Sequence, residues 1–215
     1  MNFDVDAILF DIDGTLVDST GAVERAWRTF TAAHGIDADE LLSISHGRRS
    51  ADTIAQFLPP EETDSAVAEL DALEMADLDD VVALPSVAEL IGSLPPQRWA
   101  AVTSGNRELM IKRLGAAGLP TPSVLVTAED VNDGKPHPEG FLLAARSLGF
   151  SPDRCLVIED APSGVEAGLA TGGPTVAVAT SHPAAALQAA TAVVDTLAQL
   201  RLEVVDDGLH ITIED

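Results

Sequence analysis

The sequence predicts an α/β fold: a parallel sheet covered by helices on both faces, an all-helical insertion, and a β-hairpin at the C-terminus. Three observations predict it. Short, continuously apolar runs bounded by turn residues alternate with helix-compatible stretches, as strands buried on both faces require. No convincing strand lies between Leu16 and Leu84, which reads as helices. Near the end, RLEVV and LHITI flank Asp206-Asp207-Gly208, a turn signal between two β-rich runs.

Taken in order, MNFDVDAILF enters a strand at once, with Ala7–Phe10 as its apolar run. The insertion follows as Gly21–His34, Ser50–Leu58 and the acidic Glu61–Leu78. Ser50 is the expected N-cap of its helix, with Ile54, Phe57 and Leu58 on one face at i, i+3, i+4 spacing. Strands are expected at Trp99–Thr103, Ser123–Thr127, Leu156–Ile158, Thr175–Ala179 and Ala192–Val194. Helices are expected at Arg107–Ala117, Glu139–Leu148 and Gly164–Thr171. The core is thus assigned residues 1–15 and 85–215, and the helical insertion residues 16–84.

Composition bounds the function. The 215 residues amount to roughly 1.4 average domains, one core with one insertion. With 46% hydrophobic residues, such a chain can bury a core without staples. Against 35 acids stand only 12 bases, a formal charge of −23 that excludes nucleic acid and anionic membrane as expected partners, since both demand clustered Lys and Arg. The single cysteine, Cys155, has no internal disulfide partner and reads as a core residue. The N-terminus lacks a basic segment followed by an apolar run, and no 18-residue stretch is predominantly apolar and uncharged, so a cytoplasmic location is expected.

The chemistry gathers at strand ends. Asp11-Ile12-Asp13-Gly14-Thr15 follows the first apolar run, and open α/β sheets bind ligands outside the carboxyl ends of their strands. The i, i+2 spacing sends Asp11 and Asp13 to the same side, and Gly14 lets the chain turn away. An EF-hand loop needs Gly where Leu16 stands; a helix-capping turn remains an alternative for this segment alone. Glu159 and Asp160 end a second apolar run. Four carboxylates at one sheet edge repel unless a cation sits among them, and a hard divalent ion, Mg²⁺, suits oxygen ligands. Ser104, Gly105 and Asn106 precede a helix, where hydroxyls and free N–H groups hold phosphate oxygens or merely cap. Lys135, one of two lysines, is fixed in the proline-stiffened GKPHP loop.

In that order, DIDGT, VTSGN, GKPHP and VIEDAPSG resemble the four motifs of the haloacid dehalogenase-like superfamily. The resemblance implies a Rossmann-like core with a helical cap inserted after the first motif. It implies Asp11 as the nucleophile forming an aspartyl-phosphate, Asp13 as general acid and then base, and Ser104 and Lys135 as phosphoryl ligands. Mg²⁺ is implied on the Asp11 carboxylate, the Asp13 carbonyl, Asp160 and Glu159. Dehalogenases of this fold match only the first acid of DIDGT, so Asp13 argues for phosphoryl chemistry.

Within the superfamily, SHGRR at 45–49 and the following ADTIAQF resemble a segment of glycerol-3-phosphate and 2-deoxyglucose-6-phosphate phosphatases. Thr15, His46, Gly47 and Arg49 join Gly105 and Asn106 as candidate substrate-binding residues. Gly47 permits close backbone approach and Arg49 offers several donors, or else Arg48 and Arg49 pair with cap acids. The β-phosphoglucomutase-like isomerases resemble the chain in core and cap but carry a histidine four residues before the tryptophan of the first cap helix, where this chain has Val23 before Trp27. The expected activity is a Mg²⁺-dependent phosphatase acting on a small phosphorylated polyol or sugar. The alternatives are a phosphosugar isomerase or a catalytically silent phosphometabolite-binding protein. A monomer or weak homodimer is expected.

Overall fold

A computed structural model describes residues 1–214. At its centre is a six-stranded parallel sheet ordered β6-β5-β2-β7-β8-β9. Its strands are β2 (Ala7–Phe10), β5 (Trp99–Val102), β6 (Leu125–Val126), β7 (Cys155–Glu159), β8 (Thr175–Val178) and β9 (Ala192–Val194). Every residue of β2, β5, β7 and β8 is buried, which is why these runs carry no polar alternation.

The two faces feed different clusters. Ile8, Phe10, Ala101, Leu156 and Ile158 pack with Leu90 and Ile91 of α5 (Val87–Ser93) and with Leu109, Met110 and Leu114 of α6 (Arg107–Ala116). Ala7, Leu9, Val102 and Val157 face the other way, onto Phe141, Ala144 and Ala145 of α7 (Glu139–Leu148) and Ala167 of α8 (Pro162–Leu169). Alternate residues of one strand thus serve opposite layers, the two-residue period of a pleated strand.

The C-terminal hairpin is β10 (Leu200–Val205) and β11 (Gly208–Ile213), closed where Val205 pairs with Gly208 around the two-residue turn Asp206-Asp207. It is wider than expected, because β1 (Asn2–Val5) adds antiparallel to β11.

Between β2 and α5 lie α1 (Thr20–His34), α2 (Ala38–Ser45), α3 (Ser50–Ile54) and α4 (Pro60–Ala76), a helical cap around its own cluster of Trp27, Phe30, Leu41, Ile54 and Leu70. Three expectations change here. The insertion is not free of strands, since β3 (Val17–Asp18) pairs antiparallel with β4 (Val82–Ala83) at its base. The helix expected over Ser50–Leu58 stops at Ile54, with Arg49 rather than Ser50 at its N-cap; Phe57 and Leu58 still pack on the cap cluster, from a turn. Helix α2 adds to the expected elements; Asp37 caps it, its carboxylate accepting from the N–H groups of Asp39 and Glu40. Among the described residues no helix is long and apolar enough to cross a membrane.

Candidate active site

Strand ends bring the motifs together. Asp11 follows β2 directly, and its N–H donates to the Ile158 carbonyl at 2.9 Å, tying the first motif to β7. The chain then folds back on itself: the N–H groups of Leu16 and Val17 donate to the Ile12 carbonyl, and Gly14 takes φ +82°. Gly14 meets two demands at once, the positive φ and the space, since a Cβ there would collide with the Asp160 carboxylate.

Lys135, on the loop before α7, is 6% exposed and reaches the foot of the site. Its ammonium donates to Asp11, to Oε1 of Glu159 at 2.6 Å and to the Val102 carbonyl at 3.3 Å. Oε2 of Glu159 accepts from the N–H groups of Asp160 (2.8 Å) and Ala161 (2.9 Å), so this fully buried carboxylate is bonded on both oxygens. The Asp160 carboxylate accepts from the hydroxyls of Thr15 (3.3 Å) and Ser181.

Asp11, Glu159 and Asp160 bring carboxylate oxygens within 4.8 Å of one another. Three buried acids against one ammonium leave excess negative charge. Burial, outweighing the opposing pull of Lys135, pushes the Asp11 carboxyl up to about 8. Burial and then the neighbouring Glu159 and Asp11 raise Asp160 as well. Burial alone would lower the Lys135 ammonium, but Asp11 and Glu159 prevail and raise it. An all-oxygen, electron-rich, buried set of this kind fits a hard divalent cation, whose charge would let all three acids ionise.

Above these groups lies a cavity of about 100 Å³ walled by core and cap together. Asp11, Asp13, Ser104 and Gly105 line it from the core; Val23, Trp27, His46, Gly47, Arg48 and Glu74 line it from the cap. Cap and core touch closely at Gly47 (φ +73°): its carbonyl accepts from the Ser104 hydroxyl at 2.9 Å, and a Cβ on it would lie 2.7 Å from Cβ of Ala161.

A profile described as haloacid dehalogenase-like hydrolase matches residues 5–172. The chain belongs to that family. This hydrolase is 42% identical over 175 residues to hexitol phosphatase A of Escherichia coli, spanning 79% of this chain and 81% of the relative. It is 34% identical over 193 residues to glycerol-1-phosphate phosphohydrolase 2 of Saccharomyces cerevisiae, spanning 84% and 77%. Among solved structures, a hydrolase from Pseudomonas syringae superposes with a TM-score of 0.82 at 26% identity, covering 89% of this chain and 94% of that one.

Three of the hydrolase's expected substrate contacts are engaged elsewhere. Arg49 does not line the cavity: Nε and Nη2 hold Asp52 (2.7 and 3.0 Å), and Nη1 donates to the Asn132 carbonyl (2.9 Å), because its extended backbone aims the side chain at the Lys135 loop. Of the two adjacent arginines it is Arg48 that lines the cavity, its Nε buried and without a partner among the described residues. Asn106 caps α6, its side chain accepting from the Leu109 N–H at 2.9 Å. Thr15 sits behind Asp160 as a hydrogen-bond donor. His46 does face the cavity, edge-on to His182 with ring centroids 5.5 Å apart, and burial lowers its pKa.

Other groups at the site were not singled out from the sequence. Ser181 reaches Asp160, Ser19 donates to Oδ1 of Asp13 at 2.7 Å, and Arg113 bridges Asp13 to Glu74. Arg113 and Glu74 had a readable signal. Arg113 falls three and four residues after Met110 and Leu109, and Glu74 four after Leu70, so each is a charge on an otherwise buried helix face.

Proposed function

We propose that the chain is a Mg²⁺-dependent phosphatase that hydrolyses a small phosphorylated polyol or sugar through an aspartyl-phosphate on Asp11. The observation that carries the reading is the convergence of Asp11, Asp13, Lys135 and Asp160 at one sheet edge beneath a cavity that the cap closes. The relatives named for hexitol and glycerol phosphates support the substrate class.

The Asp11 carboxylate attacks phosphorus, forming an O–P bond as the ester O–P bond breaks. Asp13 gives its proton to the leaving oxygen. It then takes one from the water that attacks the aspartyl-phosphate, releasing inorganic phosphate and restoring Asp11. Lys135 and Ser104 hold phosphoryl oxygens, the Ser104 hydroxyl turning from the Gly47 carbonyl to do so, and Lys135 also opposes the burial that would keep Asp11 protonated. Glu159, bonded on both oxygens, anchors Lys135. Asp11, Asp160, Glu159 and the Asp13 carbonyl would hold Mg²⁺, which supplies positive charge against the phosphoryl oxygens. The cap excludes bulk water during transfer.

Val23 favours hydrolysis over isomerisation. It lines the cavity with Trp27, so an apolar contact occupies the position at which the isomerase-like relatives carry a proton-transferring histidine. The test is inorganic phosphate release from a panel of polyol and sugar phosphates, with and without a chelator, while monitoring isomer formation. Phosphate release that the chelator abolishes and Mg²⁺ restores is the expected outcome. An isomer formed without phosphate release would overturn the reading.

A further inference from the structure

One buried guanidinium joins the core to the cap at Asp13. Arg113, on α6, is 2% exposed; its Nη1 donates to both carboxylate oxygens of Asp13 at 2.9 Å, and its Nη2 to Oε1 of Glu74 at 3.0 Å. Asp13 belongs to the loop after β2, whereas Glu74, 6% exposed, belongs to the cap helix α4. Nε of Arg113 is buried and has no partner, so the guanidinium takes its orientation from these two carboxylates. Buried charge networks of this kind are weak contributors to stability compared with apolar packing, so stability alone gives little reason for it.

We propose that Arg113 and Glu74 are positioning residues for Asp13. Seating of the cap brings Glu74 onto Nη2 and sets the plane of the guanidinium; Nη1, helped by the Ser19 hydroxyl, then fixes the direction of the Asp13 carboxylate. Asp13 is therefore oriented for proton transfer only when the cap is closed, which links substrate enclosure to leaving-group chemistry. The inference rests on the phosphatase reading, since it takes Asp13 as the group that handles the leaving group's proton.

Two esters separate this role from general damage to the fold. The alkyl phosphates, glycerol 3-phosphate or a hexose 6-phosphate, need a proton on the leaving oxygen, whereas p-nitrophenyl phosphate expels a stabilised phenolate without one. The ratio kcat/KM covers the steps through transfer to Asp11 when that transfer is the first irreversible one. Arg113→Met keeps bulk and removes the donors; it is expected to lower kcat/KM about 100-fold for the alkyl ester and less than about threefold for p-nitrophenyl phosphate. Glu74→Gln should show the same selectivity at about tenfold, and adding it to Arg113→Met should cost nothing further, because Glu74 acts through Arg113. Equal losses for both esters, or additive losses in the double variant, would overturn the proposal. Should Arg113→Met fail to fold by circular dichroism, Arg113→Lys and Glu74→Gln carry the same comparison, since one ammonium cannot satisfy both carboxylates. Failure of the phosphatase reading has its own signature: the wild-type chain would release no phosphate from either ester.

Discussion

The two walls of the cavity are built differently. On the core wall, side chains project from the ends of fully buried strands: Asp11 is placed by β2, Glu159 and Asp160 by β7, and each carboxylate is bonded in place. On the cap wall, His46, Gly47 and Arg48 sit on the turn between α2 and the five-residue α3, and they reach the site through docking contacts such as Ser104 to Gly47. The difference teaches a division of labour. On the proposed function, bond-making chemistry, which needs sub-ångström placement, stands on the strand-borne wall, while substrate selection falls to the wall that docks through loop contacts.

The comparison breaks most sharply at Asp11. Asp11→Asn removes the attacking oxygen anion but keeps the shape, so turnover should fall by about 10⁴-fold or more while the circular dichroism spectrum stays native. Unchanged turnover would mean that the strand-borne wall does not carry the nucleophile. No cap substitution should approach this loss, because the cap contributes no reacting atom.

This asymmetry also governs how much the sequence disclosed. Ala7–Phe10 and the run ending at Glu159 were legible because a strand buried on both faces is held almost entirely to apolar residues, and acids at its end have few structural reasons to be there. The cap was legible as helical but not in detail. Helix α2 has only eight residues, and the paired strands β3 and β4 have two each, lengths at which tertiary contacts outweigh local pattern. Arg48 and Arg49 are adjacent, and no periodicity says which one turns inward; the contacts of Arg49 with Asp52 and the Asn132 carbonyl decide it. The acidic run at 61–80 reads as a solvated face, and most of it is. Glu74 is the exception, a buried acid whose partner lies 39 residues away.

The cap's coherence can be tested apart from its docking. Phe30 is fully buried in the cap cluster, edge-on to Trp27 with centroids 5.7 Å apart. Phe30→Ala should destabilise by about 3–5 kcal/mol, read by denaturant unfolding. A single shifted transition would show cap and core unfolding as one unit, and an early separate transition would show the cap melting alone. Loss of alkyl phosphate turnover before loss of the core signal would sharpen the contrast further.

The smallest expected effect lies in the adjacent arginines, where the two walls meet. Arg49 bridges the cap to the Lys135 loop, and Gly134 is pressed so close that a Cβ there would lie 2.7 Å from Arg49 Nε. Arg49→Ala therefore loosens docking and should lower kcat and raise KM together, a few-fold each, for every ester. Among the described residues Arg48 has no carboxylate partner, and it lines the cavity, so on the proposed function its donors are available to the substrate. Arg48→Ala should raise KM about tenfold with kcat nearly unchanged, and the loss should vary with the polar groups the substrate carries beyond its phosphate. A uniform change across the panel would place Arg48 with Arg49, in docking. A KM effect that tracks the substrate would place the reading of its distal end on the cap. On the proposed function, that would also account for how a protein of charge −23 draws an anion: Arg48 and Arg113 line the cavity, and Lys135 lies beneath it among the buried acids.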